Sequence, residues 1–100
     1  MSATVSTRYG KLEGEEQGGL SVFKGIPFAA APAGPRRWTA PEKPAPWSGT
    51  RDARRFGNVA PQNPVLVSAL SAMLVEGEQT EDCLYLNVWT PGVDGKRRPV

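Results

Sequence analysis

Three groups of residues in this 100-residue chain have side chains suited to chemistry. They are the run Glu81-Asp82-Cys83, the serine hydroxyls at 68 and 71, and two basic clusters, Arg51/Arg54/Arg55 and Lys96/Arg97/Arg98. A hydroxyl or thiol becomes a nucleophile only when a base is in reach or its pKa is lowered. The chain has no histidine, so no Ser-His or Cys-His pair can form, and a zinc site that uses histidine is excluded. Ser68 and Ser71 therefore have nothing to activate them. One cysteine makes neither an intrachain disulfide nor a CxxC site. GxGxxG, GxxxxGK and GxSxG are all absent. No cofactor or metal is expected, and the catalytic residues of any reaction the gene performs are expected outside these residues.

The basic clusters are read as solvated turns. Asp52 and Asp94 stand beside them, no aromatic spacing for base stacking accompanies them, and Lys plus Arg exceed Asp plus Glu only by 12 to 10. No nucleic-acid partner is expected. With 39% hydrophobic and 22% charged residues, the chain belongs with soluble globular sequences and has room for one core. No apolar run is long enough to cross a bilayer, and residues 1–20 lack the apolar block of a signal peptide, so no membrane span and a cytoplasmic location are expected.

Short strands, turns and one helix must position these residues. In TVSTRYGKLEG, Val5, Thr7 and Tyr9 alternate with Ser6 and Arg8, which predicts a small hairpin turning at Gly10-Lys11. A third strand is expected at Leu20–Phe23. Six of the ten prolines lie between Pro27 and Pro46, which requires an extended surface loop there. In NPVLVSALSAMLVEG (63–77), Asn63 suits an N-cap, Pro64 the first turn and Gly77 the end of a helix. Its largely apolar surface fits either a packed helix or a mobile lip over an apolar cavity.

The strongest strand pattern is EDCLYLNVWTP (81–91). Period-two alternation sets Leu84, Leu86 and Val88 on one face and Tyr85, Asn87 and Trp89 on the other. Apolar or large residues on both sides predict cover on both faces, as in the central sheet of an α/β fold. Strands disfavour asparagine, so Asn87 is expected to be held by a specific hydrogen bond and to be structural. Pro91-Gly92 and Asp94-Gly95 are turn signals, and a returning strand is expected to begin near the end.

FKGIPFA (23–29), AGPRRW (33–38), RRFGNVAPQ (54–62) and above all EDCLYLNVWTP resemble, in order and spacing, the N-terminal part of the type-B carboxylesterases. That α/β-hydrolase family also includes cholinesterases, para-nitrobenzyl esterases and the non-catalytic neuroligins. The resemblance implies that residues 1–100 are the N-terminal portion of one α/β-hydrolase domain. Its expected parts are small antiparallel strands, a Pro-rich loop, one short helix and the first strands of the main sheet. It also implies that the oxyanion stretch, the GxSxG elbow and the triad lie further on, so that this segment is inactive alone. Arg37 and Glu81 resemble a family pair that forms a buried ion bridge beneath the active-site entrance, and Glu81, Asp82, Cys83, Leu84 and Asn87 form the family's structural motif. Asp82 is expected to bond backbone amides near the start of the strand.

Secreted members carry FG-x-x-C-x-Q, whose cysteine closes a loop onto the cysteine of the EDCL run. Here that position is Ala60, so Cys83 is expected to be a buried, quiet, unpaired thiol, with a reactive cysteine as the alternative. A reducing compartment and a bacterial source fit that absence. Three readings stay open: a serine esterase acting on small-molecule esters when full length, a neuroligin-like binding protein, and a truncated product without function. Nothing in the sequence specifies an oligomeric state.

Overall fold

The computed structural model describes residues 1–62 and 77–100. The helix expected at 63–77 falls almost wholly outside the described residues. Five strands are described: β1 (Ser2–Thr7), β2 (Gly10–Gln17), β3 (Leu20–Pro27), β4 (Thr50–Asp52) and β5 (Tyr85–Thr90), with one 3-10 turn at Gly34–Arg36. They form one sheet in the order β1-β2-β3-β5, with β4 beside β2.

The first hairpin turns two residues earlier than the sequence pattern implied. Thr7 pairs with Gly10, so Arg8 and Tyr9 make the turn. The Thr7 hydroxyl secures it, donating to the Gly10 carbonyl at 2.7 Å and accepting from the Tyr9 amide at 3.2 Å. The second hairpin closes Gln17 on Leu20 through Gly18 and Gly19, both with positive φ, the geometry that matches strand twist in a two-residue turn. Strand β3 runs on to Pro27, further than expected, because β5 lies against it as an antiparallel neighbour. The small N-terminal strands and the EDCLYLNV strand therefore belong to one continuous ladder.

Strands β2 and β3 pair only near their hairpin, at Glu15–Gln17 with Leu20–Val22. Where they diverge, β4 enters and runs parallel to β2, with Leu12 opposite Arg51. Ala53 plugs the fork: it is fully buried, its amide donates to the Glu13 carbonyl, and its carbonyl accepts from the Lys24 amide, both at 2.7 Å. Ala3, Leu12, Phe23 and Ala53 form the core, with Val5, Ile26 and Trp47 packed against it. Val22 is buried on the other side of β3, as expected for a strand flanked by others in mid-sheet.

The Pro-rich segment is irregular apart from its single 3-10 turn. Trp47 ends it as an anchor: its amide donates to the Tyr9 carbonyl and its indole N–H to the Lys11 carbonyl, both at 2.8 Å. That anchor sets β4 in register with β2.

Candidate functional site

Of the chemistry-bearing residues, Glu81, Asp82 and Cys83 lie where β5 begins, with Arg37 against Glu81, while Ser68 and Ser71 lie outside the described residues. Strand β3 carries a bulge between Phe23 and Ile26, opposite Val88 and Leu86. Gly25 sits in it at φ 67°, and a side chain there would meet the Arg55 carbonyl at 2.8 Å, so only glycine fits. A bulge leaves a backbone donor without a ladder partner. Here the Gly25 amide donates to Asn87 Oδ1 at 3.0 Å, so the asparagine in β5 closes the gap in the ladder.

Upstream of β5 the chain is pinned residue by residue. Leu84 accepts from the Phe28 amide at 3.1 Å, Cys83 accepts from the Tyr85 amide at 3.0 Å, and the Cys83 amide donates to Glu81 at 3.0 Å. Among the described residues Asp82 accepts from no backbone amide, where such bonds were expected. Both of its carboxylate oxygens lie 3.0 Å from the Tyr85 hydroxyl, which donates to them, because β5 brings that hydroxyl back over the preceding turn. Burial, followed by the adjacent Asp82 charge, raises the Tyr85 pKa above its ordinary value, so the phenol remains a donor. The Tyr85 ring lies against Gly57, where a Cβ would come within 2.7 Å of it.

Arg37 follows the 3-10 turn and meets Glu81 at 2.5 Å. Their hydrogen bond and then their opposite charges raise the Arg37 pKa. The same hydrogen bond lowers that of Glu81, with partial burial opposing it. The bridge is not buried in this chain: 57% of the Arg37 side chain and 42% of Glu81 meet solvent. The pair ties the end of the 3-10 turn to the β5 entry and stays open to solvent. Trp38, next in sequence, has a left-handed backbone (φ 62°) and a wholly exposed indole.

Cys83 is a free, half-buried thiol. It shares a cavity of about 270 Å³ with Ala60, Tyr85 and Asn87, so the position where the resemblance implied a cysteine partner lines the same cavity here as alanine. Among the described residues no group of three or more His, Cys, Asp or Glu is placed to hold a metal ion. Both carboxylates of the Glu81-Asp82 pair are committed, one to a guanidinium and one to a phenol. The arrangement clamps a strand into a sheet; among the described residues it holds no nucleophile with a base.

Two contributors escaped the sequence reading. Trp47 and β4 carry no periodic signal, since TRD is three polar residues, and the only hint was an aromatic ending a Pro-rich segment. The Asp82–Tyr85 contact could have been suspected from a carboxylate three residues before a tyrosine.

The frame has counterparts among known proteins. The family model described as "Carboxylesterase family" matches residues 1–100. The chain belongs to the carboxylesterase family. It is 42% identical over 96 residues to the para-nitrobenzyl esterase of Bacillus subtilis (strain 168), covering 96% of this chain and 19% of that protein. It is 40% identical over 114 residues to neuroligin-3 of Rattus norvegicus, covering 94% of this chain and 13% of that protein. The crystal structure of a Geobacillus stearothermophilus carboxylesterase at pH 6.8 superposes with a TM-score of 0.78 and 47% identity, over 96% of this chain and 18% of that one. The fold is thus the N-terminal portion of an α/β-hydrolase fold. The chain spans less than a fifth of the length of each of these relatives.

Proposed function

We propose that residues 1–100 are the N-terminal scaffold of one α/β-hydrolase domain in a serine carboxylesterase, which hydrolyses small or hydrophobic esters by acyl transfer to water. The observation that carries this reading is the carboxylesterase match across all 100 residues, on a frame whose Arg37, Glu81 and Asn87 are spent on holding the β5 region. In acyl transfer an activated serine attacks the ester carbonyl, a base moves its proton, and preorganised donors hold the oxyanion. This segment has no histidine to serve as that base and no GxSxG elbow to present that serine. Its Arg37, Glu81, Asp82, Cys83, Leu84 and Asn87 position strand and loop, and catalysis falls to later residues. Likeness to the para-nitrobenzyl esterase makes small aromatic esters the first substrates to try. Cys83 without a cysteine partner in the chain supports a reducing, cytoplasmic setting in a bacterium.

Neuroligin-3 matches the same segment at nearly the same identity, so a binding protein that has lost the nucleophile is the second reading. Labelling the complete gene product with a fluorophosphonate separates the two. The esterase reading expects stoichiometric labelling at the serine of a GxSxG elbow encoded downstream. A folded product that is not labelled and lacks that serine overturns it.

A further inference from the structure

Two cavities meet around Phe56, and among the described residues lining them the basic ones exceed the acids. One, of about 330 Å³, is lined by Arg51, Asp52, Arg55, Phe56 and Tyr85 among others. The other, of about 450 Å³, is lined by Lys24, Arg54, Arg55, Phe56 and Gly77. Arg55 and Phe56 belong to both. Among the described residues the one carboxylate lining them is Asp52, held by Arg54 through contacts of 2.8 and 3.2 Å, which with the Arg54 amide and the nearby Arg54 and Arg55 charges hold its pKa down at about 2. Glu13 and Glu15 on β2 add to the pull of Asp52 in raising the Arg54 pKa. Among the described residues Lys24, Arg51 and Arg55 have no carboxylate in ion-pair range.

Two of those three cations are held by aromatic rings. The Arg51 guanidinium lies 5.6 Å from the Trp47 ring centre and 6.0 Å from that of Tyr85, and Trp47 is itself anchored to the Lys11 carbonyl. Lys24 lies 4.5 Å over the Phe56 ring. Such contacts limit the motion of a cation while leaving its N–H groups free to donate, so part of the ordering cost of binding an anion is met beforehand. Guanidinium forks match the paired oxygens of carboxylate and phosphate.

We propose that these joined cavities bind a small multivalent oxyanion, with Arg51 and Arg55 as its principal donors and Lys24 completing the charge. Phosphate and a short dicarboxylate share that chemistry. The test is calorimetric titration of the natural full chain containing these residues with sodium phosphate and, separately, sodium malonate, at ionic strength held constant with sodium chloride. Saturable binding of at least one probe is expected, and the tighter of the two names the class. Arg51→Lys and Arg55→Lys, which keep the charge but lose the fork, should each weaken it about tenfold or more. Arg98→Lys, whose partner is Asp94 elsewhere on the surface, should leave it unchanged. Arg55 is exposed, so its lysine variant keeps the fold and the result is readable even if Arg51→Lys is poorly folded. Absence of saturation with both probes, or binding that Arg55→Lys does not weaken, overturns the proposal.

Discussion

Asn87 shows how a residue disfavoured by its element can hold that element in place. Its carboxamide serves the one amide that the β3 bulge releases, and Gly25, which carries that amide, is buried. Asn87→Ala should lower stability by about 1 kcal/mol, the net worth of one such bond, while Asn87→Asp keeps an acceptor and should cost less. Urea midpoints of both variants in the full-length protein decide it; equal losses would mean that the acceptor is irrelevant. The Arg37–Glu81 bridge is half-exposed, which places it among weak ion pairs rather than buried ones. The lowered Glu81 pKa, and those of Asp52 and Asp94 held at about 2 by Arg54 and Arg98, give the sign of the pH response. Carboxylates depressed in the folded state stabilise it above their unfolded pKa, and that contribution is lost as pH falls through the folded values. Stability should therefore drop between about pH 4 and pH 2, and Asp94→Asn should flatten the drop. A pH series of melting temperatures that stays level through this window would contradict the assignment.

At the scale of elements, what was legible in the sequence had local causes. Alternation in TVSTRY and YLNVWT marks β1 and β5, and proline density marks the loop after β3. What was illegible depended on contacts between distant segments. β4 exists because β2 and β3 splay apart and leave ladder positions that Thr50–Asp52 fills, and no feature of TRD announces this. The β1–β2 turn was misplaced because Gly10 suggested a central turn position, whereas it serves as the first residue of β2. The pairing of Arg37 with Glu81 came from family resemblance alone, since nothing near either residue points to the other. The Ala60–Cys83 cavity gives a test of loop geometry. Ala60→Cys should form a disulfide on oxidation, with loss of both free thiols and a gain of about 3 kcal/mol for a loop of roughly two dozen residues. Thiol titration and melting with and without reductant check it; two persistently free thiols would show that the loop does not bring the positions within bonding range.

For the whole molecule, the sheet is unfinished. Among the described strands β5 pairs only with β3, and Phe28, Trp38, Leu86, Val88 and Trp89 lie open to solvent. Free strand edges beside apolar surface invite association with other chains. The isolated 100-residue chain should sediment as oligomers and melt without a sharp transition; a soluble monomer with a cooperative transition would contradict this. The central claim is that these residues are frame and not machinery. Its most direct test is steady-state hydrolysis of para-nitrophenyl acetate and butyrate, with the 100-residue chain and the complete gene product side by side. Turnovers must be counted, because Cys83 can react once with an activated ester and release a single burst. The account predicts sustained, saturable turnover by the complete product and none above background by the short chain. Sustained turnover by the short chain would contradict it, and a well-folded complete product without turnover would hand the protein to the binding reading.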